Sequence, residues 1–368
     1  MKPDLLYQIG LTLIEGIGDV HAKGLLAYCG SPEQVFKQKK EHLLRIPGIG
    51  EQLARSISSS AKVLKRAEKE ITFIEKYKIQ ALFYTDNAYP NRLRSCTDSP
   101  ILLYYKGTAD LNTEKIVAIV GTRRPGSYGI EKTQELVSAL SASGALILSG
   151  LAYGIDIVAH RAAVENQMPT IGVLAHGLDR IYPQTHDKVA KKMLKNGGLL
   201  TDFMSETNPD AVNFPKRNRI VAGLCDALVV MESTRKGGSL ITATIANSYN
   251  RDVFAFPGRA GDQLAEGTNG LIKRNRAALI ENAEDLLDAM QWNDVAVKGS
   301  GSKQLPLLLA LSDEERAIVN LFEQRDAIHI DEMCQTLQLP VSKVSALLLQ
   351  LEFSNLIKSK PGKMYALT

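Results

Sequence analysis

Between Lys115 and about Trp292, short apolar runs alternate with helical patterns. The runs fall at 118–120, 145–149, 170–175, 198–203, 227–233, 252–258 and 277–280. They show no polar alternation, as expected of strands covered by helices on both faces. The pattern predicts an α/β fold: a doubly wound, Rossmann-like, mostly parallel sheet. Its first strand ends at KIVAIVGTRRPGSYG (115–129), where Gly121 and Gly126 permit a sharp turn and Arg123 and Arg124 bring charge to the carboxyl edge. Several other runs end in glycine or small polar residues, at Gly150, His176-Gly177, Gly237-Gly238 and Pro257-Gly258, so these loops are expected along one edge. Two further apolar runs, 81–85 and 101–107, read as short strands around a turn with Tyr89-Pro90 and Ser99-Pro100.

The flanks have a different rhythm. The first sixty or so residues are helical and repeat an apolar helix end followed by Gly-Ile-Gly, at 16–18 and 48–50. This resembles tandem helix-hairpin-helix motifs, in which backbone N–H groups at the turn and the next helix hold a phosphate. A plain helical hairpin would use glycine as well, and Glu15, Asp19 and Glu51 would repel a phosphate. Residues 61–78 mix lysine, arginine and glutamate at helical spacing and read as a solvated connecting helix. After Trp292 a Gly/Ser/Lys-rich stretch reads as a linker. Beyond it, Ser312–Glu315 form a capping box, further helices start at Asp331 and Val341, and a strand pair folds around Pro361-Gly362. Three helices and a hairpin predict a winged helix. Its third helix carries only Lys343 as a basic residue, a poor surface for a major groove, which leaves phosphate contacts to Lys358, Lys360 and Lys363.

Composition narrows the choice. At 368 residues, with 45% apolar and 23% charged residues, the chain can bury full cores without staples. The formal charge of +4 permits a nucleic-acid partner without demanding one. Cys29, Cys96, Cys225 and Cys334 form no CxxC, which argues against a disulfide framework or a zinc ribbon and for buried thiols in a reducing compartment. The N-terminal segment lacks a leader pattern and the longest apolar stretch, 305–311, cannot span a bilayer, so a cytoplasmic location is expected.

Candidate chemistry clusters on the strand-end edge. Gly121–Ser127 has the glycine spacing of a phosphate loop but no lysine before the hydroxyl residue, and GxGxxG is absent. A conventional nucleotide hydrolase or dehydrogenase is therefore disfavoured. In NFPKRNRI, Lys216, Arg217 and Arg219 follow Pro215 at a helix start, where cations oppose the helix dipole unless an anion compensates. In TRKGGSLITATIA, two glycines, Ser239 and a helix N-terminus make a phosphate cradle. Phe214 and Tyr153 near this edge are candidates for stacking bases. Asp156 and His160 share a helix face but lack a third ligand, so a helix-capping carboxylate and a satisfied histidine are favoured over a metal pair or acid–base dyad.

SGLAYGIDIVAH, GLDRIYP, FPKRNRIVAGL, GGSLITATIA, VFAFPG and EGTNGLI follow IVGTRRPGSYG in that order. Together they resemble the DNA-processing protein A family, also called DprA or Smf, closely over 84–280 and in outline over the whole chain. The resemblance implies a homodimeric, non-enzymatic protein that binds single-stranded DNA. It also implies loading of a RecA-type recombinase onto incoming strands, in natural transformation and homologous recombination, with no cofactor and no membrane. Carried over by residue, it places DNA contacts at Gly121, Thr122, Arg123, Lys216, Arg217, Asn218, Arg219, Gly238, Ser239 and Thr242. GGSLIT departs from the family's SGSLIT at Gly237, Thr201-Asp202 replaces its SE, and Asn275-Arg276 replaces its GA, where Arg276 can add a contact. The expected organisation is a helix-hairpin-helix/SAM-like domain over 1–65, a Rossmann-like core over 66–292 including the connecting helix, a linker over 293–304, and a winged helix over 305–368. The alternative is a nucleotide-binding sensor, or a phosphoribohydrolase with PGGxGTxxE. In that motif's register the catalytic glutamate falls on Thr244.

Overall fold

The computed structural model describes residues 3–58, 61–292, 311–325, 327–354, 356–360 and 363–367, and the chain divides into two compact units, Met1–Asp294 and Val295–Thr368. The expected linker at 293–304 and the turn at Pro361-Gly362 lie outside the described residues.

In the first unit, helices α1 (Pro3–Thr12), α2 (Asp19–Cys29), α3 (Pro32–Lys37), α4 (Lys40–Leu43) and α5 (Glu51–Ser58) form the small helical domain, followed by α6 (Ala61–Tyr77). Gly16 and Gly48 each adopt φ of +82°, the left-handed conformation that a side chain resists, so both hairpins turn where the sequence places them. Two of the three suspected carboxylates are engaged. Asp19 accepts a bond from the Ile101 amide, and Glu51 pairs with Lys40 and Arg55.

The sheet has nine strands: β1 (Gln80–Phe83), β2 (Leu102–Gly107), β3 (Ile116–Val120), β4 (Leu146–Ser149), β5 (Thr170–Val173), β6 (Gly198–Thr201), β7 (Ala227–Val230), β8 (Asp252–Ala255) and β9 (Ala278–Leu279). Their order is β1-β2-β6-β5-β4-β3-β7-β8-β9. The seven strands from β3 onward are mutually parallel, whereas β1 and β2 are antiparallel additions at the β6 side. Strand β3 is buried throughout: Ile116, Ala118 and Val120 face one core, Val117 and Ile119 the other. The first core is covered by α11 (Asn213–Leu224) and α12 (Gly238–Ser248), the second by α8 (Ser127–Ala139), α9 (Ile155–Glu165) and α14 (Ala283–Ala289). Helices α7 (Asn91–Arg94), α10 (Asp187–Met193) and α13 (Glu266–Lys273) complete the unit.

The helical domain is not a loose appendage. Its apolar cluster runs through Ala67, Ile71 and Ile74 of α6 into Phe83, Leu102 and Tyr104 of the sheet. The expectation of a fully solvated α6 therefore needs correction. Glu70 is only 1% exposed, and it accepts bonds from Arg66 and from the Ser205 amide and hydroxyl. An i,i+4 charge pattern at the surface and one turned inward read identically in sequence. Of the four cysteines, Cys96 and Cys225 are buried, Cys29 and Cys334 half-buried, and all are free thiols.

In the second unit, α15 (Asp313–Asn320) starts at the expected Ser312/Glu315 capping box. Helices α16 (Ile330–Leu337) and α17 (Val341–Phe353) follow, with a sheet of β10 (Ile328–His329), β11 (Ile357–Lys360) and β12 (Met364–Leu367) in the order β10-β12-β11. This is a winged helix whose third helix is unsuited to reading bases. Lys343 is paired with Glu314, Glu352 accepts from Ser359, and Val341, Leu349 and Phe353 are exposed, the last by 80%.

Candidate nucleic-acid interface

Strand β3 has β4 on one side and β7 on the other, so the chain reverses direction of sheet growth there. Open α/β sheets bind ligands at that switch point, beyond the carboxyl ends of the strands. A cleft of about 640 Å³ opens at this place, lined by loops following β3, β4 and β7 and by the first turns of α11 and α12.

The β3–α8 loop is held close to the start of α9. A side chain on Gly121 would meet Ile155 at 2.5 Å, and one on Gly154, at φ +83°, would meet the Thr122 carbonyl at 2.1 Å. The backbones instead bond directly: Ile155 N donates to Thr122 O and Thr122 N to Glu232 O. Arg123 is thereby presented to solvent at the cleft mouth, its guanidinium 5.1 Å from the centroid of the Phe214 ring. Tyr182 meets Phe214 edge-on, with the ring centroids 6.3 Å apart. The aromatic partner of Phe214 is thus Tyr182, while Tyr153 packs on His186.

Sequence suggested a phosphate loop at Gly121–Ser127, and the position where such a loop would hold its anion is filled from within. Glu232, 5% exposed, accepts a bond from Gly126 N at 2.8 Å just before α8, and a side chain on Gly129 would meet its carboxylate at 2.4 Å. An internal carboxylate thus takes the favourable end of the helix dipole. Glu232 escaped sequence analysis because it trails an apolar strand with no spacing signature.

The three cations of FPKRNR separate. Lys216 is exposed beside the cleft. Arg217, 4% exposed, points into the floor. It donates to Val173 O at 2.7 Å and lies so close to Gly150 that a side chain there would be 1.7 Å from its Nη1. Burial pushes Arg217 down from its ordinary pKa and Asp156 is the largest influence holding it up; burial likewise pushes Asp156 up, with Arg217 the largest influence opposing. Asp156 also accepts from the amides of Gly150 and Ala152, so it organises the β4–α9 loop rather than capping its helix. Arg219 turns away altogether. It bonds Asp19 of α2 and Asp202, both at 2.9 Å, and the carbonyl of Asp98. Burial works against its charge, but Asp202 and Asp19 raise its pKa further. The three cations carried over as DNA contacts thus sit in different settings: one exposed lysine, one buried floor arginine and one arginine that ties the helical domain to the core. Lys216 and Arg219, three positions apart, are neighbours on the helix surface, so it is the packing of α11 and its partners, not the helical period, that separates the three.

At the β7–α12 loop, Gly237 and Gly238 leave the start of α12 open to the cleft. The Ser239 hydroxyl, expected to face a phosphate, donates to Ser233 Oγ at 2.9 Å. A side chain at 237 would sit 2.1 Å from that same Ser233 oxygen, which accounts for glycine there. The cleft therefore gathers Gly121, Thr122, Arg123, Arg217, Asn218, Gly238, Ser239 and Thr242, and leaves Lys216 at its rim and Arg219 behind it.

The histidines are not assembled for chemistry. His160 is fully buried, with Nδ1 on Thr170 Oγ1 at 2.7 Å, and burial pulls its pKa down to about 3. His176 and His186 bond backbone carbonyls and are also shifted down by burial. Among the described residues no group of three or more His, Cys, Asp or Glu could hold a metal ion. No helix among them is long and apolar enough to cross a membrane.

Three family models match the chain: DNA recombination-mediator protein A over residues 80–291, the DprA winged helix domain over 303–363, and a SAM-like helix-hairpin-helix tandem over 9–62. The Smf protein of Synechocystis sp. is 31% identical over 98% of each chain, and that of Escherichia coli 33% identical over 81% of this chain and 80% of its own. Among solved structures, DNA processing protein A from Streptococcus pneumoniae is 30% identical with a TM-score of 0.65, covering 77% of this chain and 97% of its own. DNA processing protein A from Helicobacter pylori, whose structure was described for its single-stranded DNA binding mode, is 32% identical with a TM-score of 0.53, covering 58% of this chain and 96% of its own.

Proposed function

The chain belongs to the DNA recombination-mediator protein A family, known as DprA or Smf, and on that premise we propose that it binds single-stranded DNA in the switch-point cleft. One observation carries the reading: Arg123 stands exposed over the Phe214 ring at the cleft mouth, with no carboxylate partner among the described residues. A cation beside an accessible aromatic suits a polymer that alternates phosphates and flat bases. Arg123 and Lys216 neutralise phosphates, Phe214 and Tyr182 offer ring faces to bases, and the amides opening α12 fix the backbone. None of these groups distinguishes one base from another, so little sequence preference is expected.

In the cell the bound strand is handed to a RecA-type recombinase, the step that natural transformation and homologous recombination require. A homodimer would present two such clefts and raise affinity for longer strands through effective concentration. No bond-making step enters this role, and the protein acts as a mediator rather than an enzyme. The small-nucleotide alternative is weakened by Glu232, which already occupies the helix end a nucleotide phosphate would need.

The test is a fluorescence-anisotropy titration with single strands of increasing length, their duplexes and mononucleotides, each at several salt concentrations. Affinity should rise with strand length, fall with salt at about 0.7 in logarithmic slope per phosphate contacted, and favour single strands over duplex. Saturation by one nucleotide, with no gain from length, would return the small-ligand reading to the front.

A further inference from the structure

One wall of the cleft comes from the chain between β6 and α11, residues 202–212, and from the first turn of α11, with Pro209, Ala211, Phe214 and Pro215 lining it. The connecting stretch forms neither helix nor strand, and Glu206, Asn208, Asp210, Ala211 and Val212 are exposed. Only Ser205 within it is buried. A wall so thinly packed takes its position from whatever holds its few inward-facing groups.

Those holds come from outside the parallel sheet. Ser205 donates its amide to Glu70 of α6 at 2.9 Å and its hydroxyl to the same carboxylate, while Arg66 of α6 donates to the Ser205 carbonyl at 2.6 Å and to Glu70 at 2.8 Å. Met204 packs against the apolar cluster of the helical domain. A second tie lies at Arg219, whose Nη2 donates to both Asp202 and Asp19 at 2.9 Å. Asp19 opens α2, and its other oxygen takes the Ile101 amide, so this one carboxylate bridges α2, the entry to β2 and α11. Arg219 lies one helical turn beyond Pro215 and next to Asn218, both of which line the cleft. A shift at this tie therefore reaches the cleft wall directly.

Both ties use charges taken out of water. Glu70 is buried, and burial pushes Asp202 up with Arg219 the largest influence opposing. Displacing either partner leaves a buried charge uncompensated, so each tie favours one arrangement of the wall.

We propose that Asp19 and Glu70, neither of which lines the cleft, are positioning residues for strand binding. Through Arg219 and Ser205 they hold the β6–α11 wall in its strand-accepting arrangement, which makes the helical domain and α6 part of the binding device. The inference rests on the strand lying in the cleft. Weakening a tie lowers the fraction of molecules whose wall is in place, and affinity falls by that fraction while the bound complex keeps all its phosphate contacts.

The test uses the full chain with Asp19→Asn and, separately, Glu70→Gln, titrated well below the melting transition with a labelled oligothymidylate of about 25 nucleotides at several salt concentrations. Each variant should bind about fivefold more weakly with an unchanged logarithmic salt slope. The sign is diagnostic, because by charge alone the removal of a carboxylate strengthens binding of a polyanion. A role confined to stability would lower the melting temperature and leave the affinity of folded protein untouched. A folded variant that binds as tightly as the unmodified chain, or one with a reduced salt slope, overturns the inference. Hydrogen exchange on the unmodified chain needs no substitution: strand binding should slow exchange in α2 and α6 as well as over 202–212, and unchanged exchange in α2 and α6 overturns the coupling. An Arg123→Ala/Lys216→Ala variant run alongside separates the two readings. If it binds normally, the cleft assignment fails and the inference with it; if it alone loses affinity, only the positioning role fails.

Discussion

Replacing Arg123 and Lys216 with alanine together lowers affinity for a long single strand by about a hundredfold near physiological salt, and reduces the logarithmic salt slope by about 1.4. The first figure follows from about 1.5 kcal/mol for each charge-assisted hydrogen bond to phosphate that is removed, the second from two fewer phosphates neutralised. Both side chains are exposed, and neither pairs with a carboxylate among the described residues, so thermal stability should stay within about 0.5 kcal/mol. Arg123 carries the larger share, since its loss also removes the cation held beside Phe214, the ring on which a base would stack. A variant that binds normally, or one that loses affinity with an unchanged salt slope, contradicts the assignment.

Arg217 behaves differently although it stands one residue from Lys216. Arg217→Met leaves Asp156 buried without its main compensating charge and Val173 O without its donor, and leaving a buried charge uncompensated in this way costs about 3–5 kcal/mol. The melting transition of the first unit should fall by roughly 10 °C, and Asp156→Asn/Arg217→Met should recover part of that loss. Protein that remains folded should keep most of its salt slope, because the guanidinium is spent on Val173 O and on Asp156, not on solvent. Calorimetry combined with the salt titration distinguishes the roles: a stable Arg217→Met variant with a reduced slope would make Arg217 a phosphate contact after all.

The contrast shows how far residue patterns reach. Strands buried on both faces announce themselves as unbroken apolar runs, and glycines at strand ends mark where the backbone must approach another loop closely. The sheet and the close approaches of its strand-end loops were legible for that reason, as was the capping box at Ser312. The direction of a charged side chain was not. Lys216, Arg217 and Arg219 look equivalent in sequence, and only the phase of α11 against the sheet separates a rim lysine from a floor arginine and an interdomain clamp. The same limit applies to Glu70 and Glu232, carboxylates turned inward by partners 135 and 106 residues away. Asp19 illustrates a further case: it counted against phosphate binding at its hairpin, yet its charge is committed to Arg219 and the Ile101 amide.

The winged helix offers the strand little. Its third helix exposes Val341, Leu349 and Phe353, and both of its charged residues bond within the same unit. The proposal places strand binding at the sheet edge, and the wing contributes the lysines Lys358, Lys360 and Lys363.

The most direct measurement is photo-crosslinking of the full chain to single strands carrying a photoreactive uracil at successive positions, with the attachment sites mapped by mass spectrometry. Stacking at the cleft mouth requires adducts on Phe214 or Tyr182, lost when Arg123 and Lys216 are replaced. Adducts confined to the helical domain or the winged helix, with none around the cleft, would contradict the claim that the switch-point edge of the sheet holds the strand.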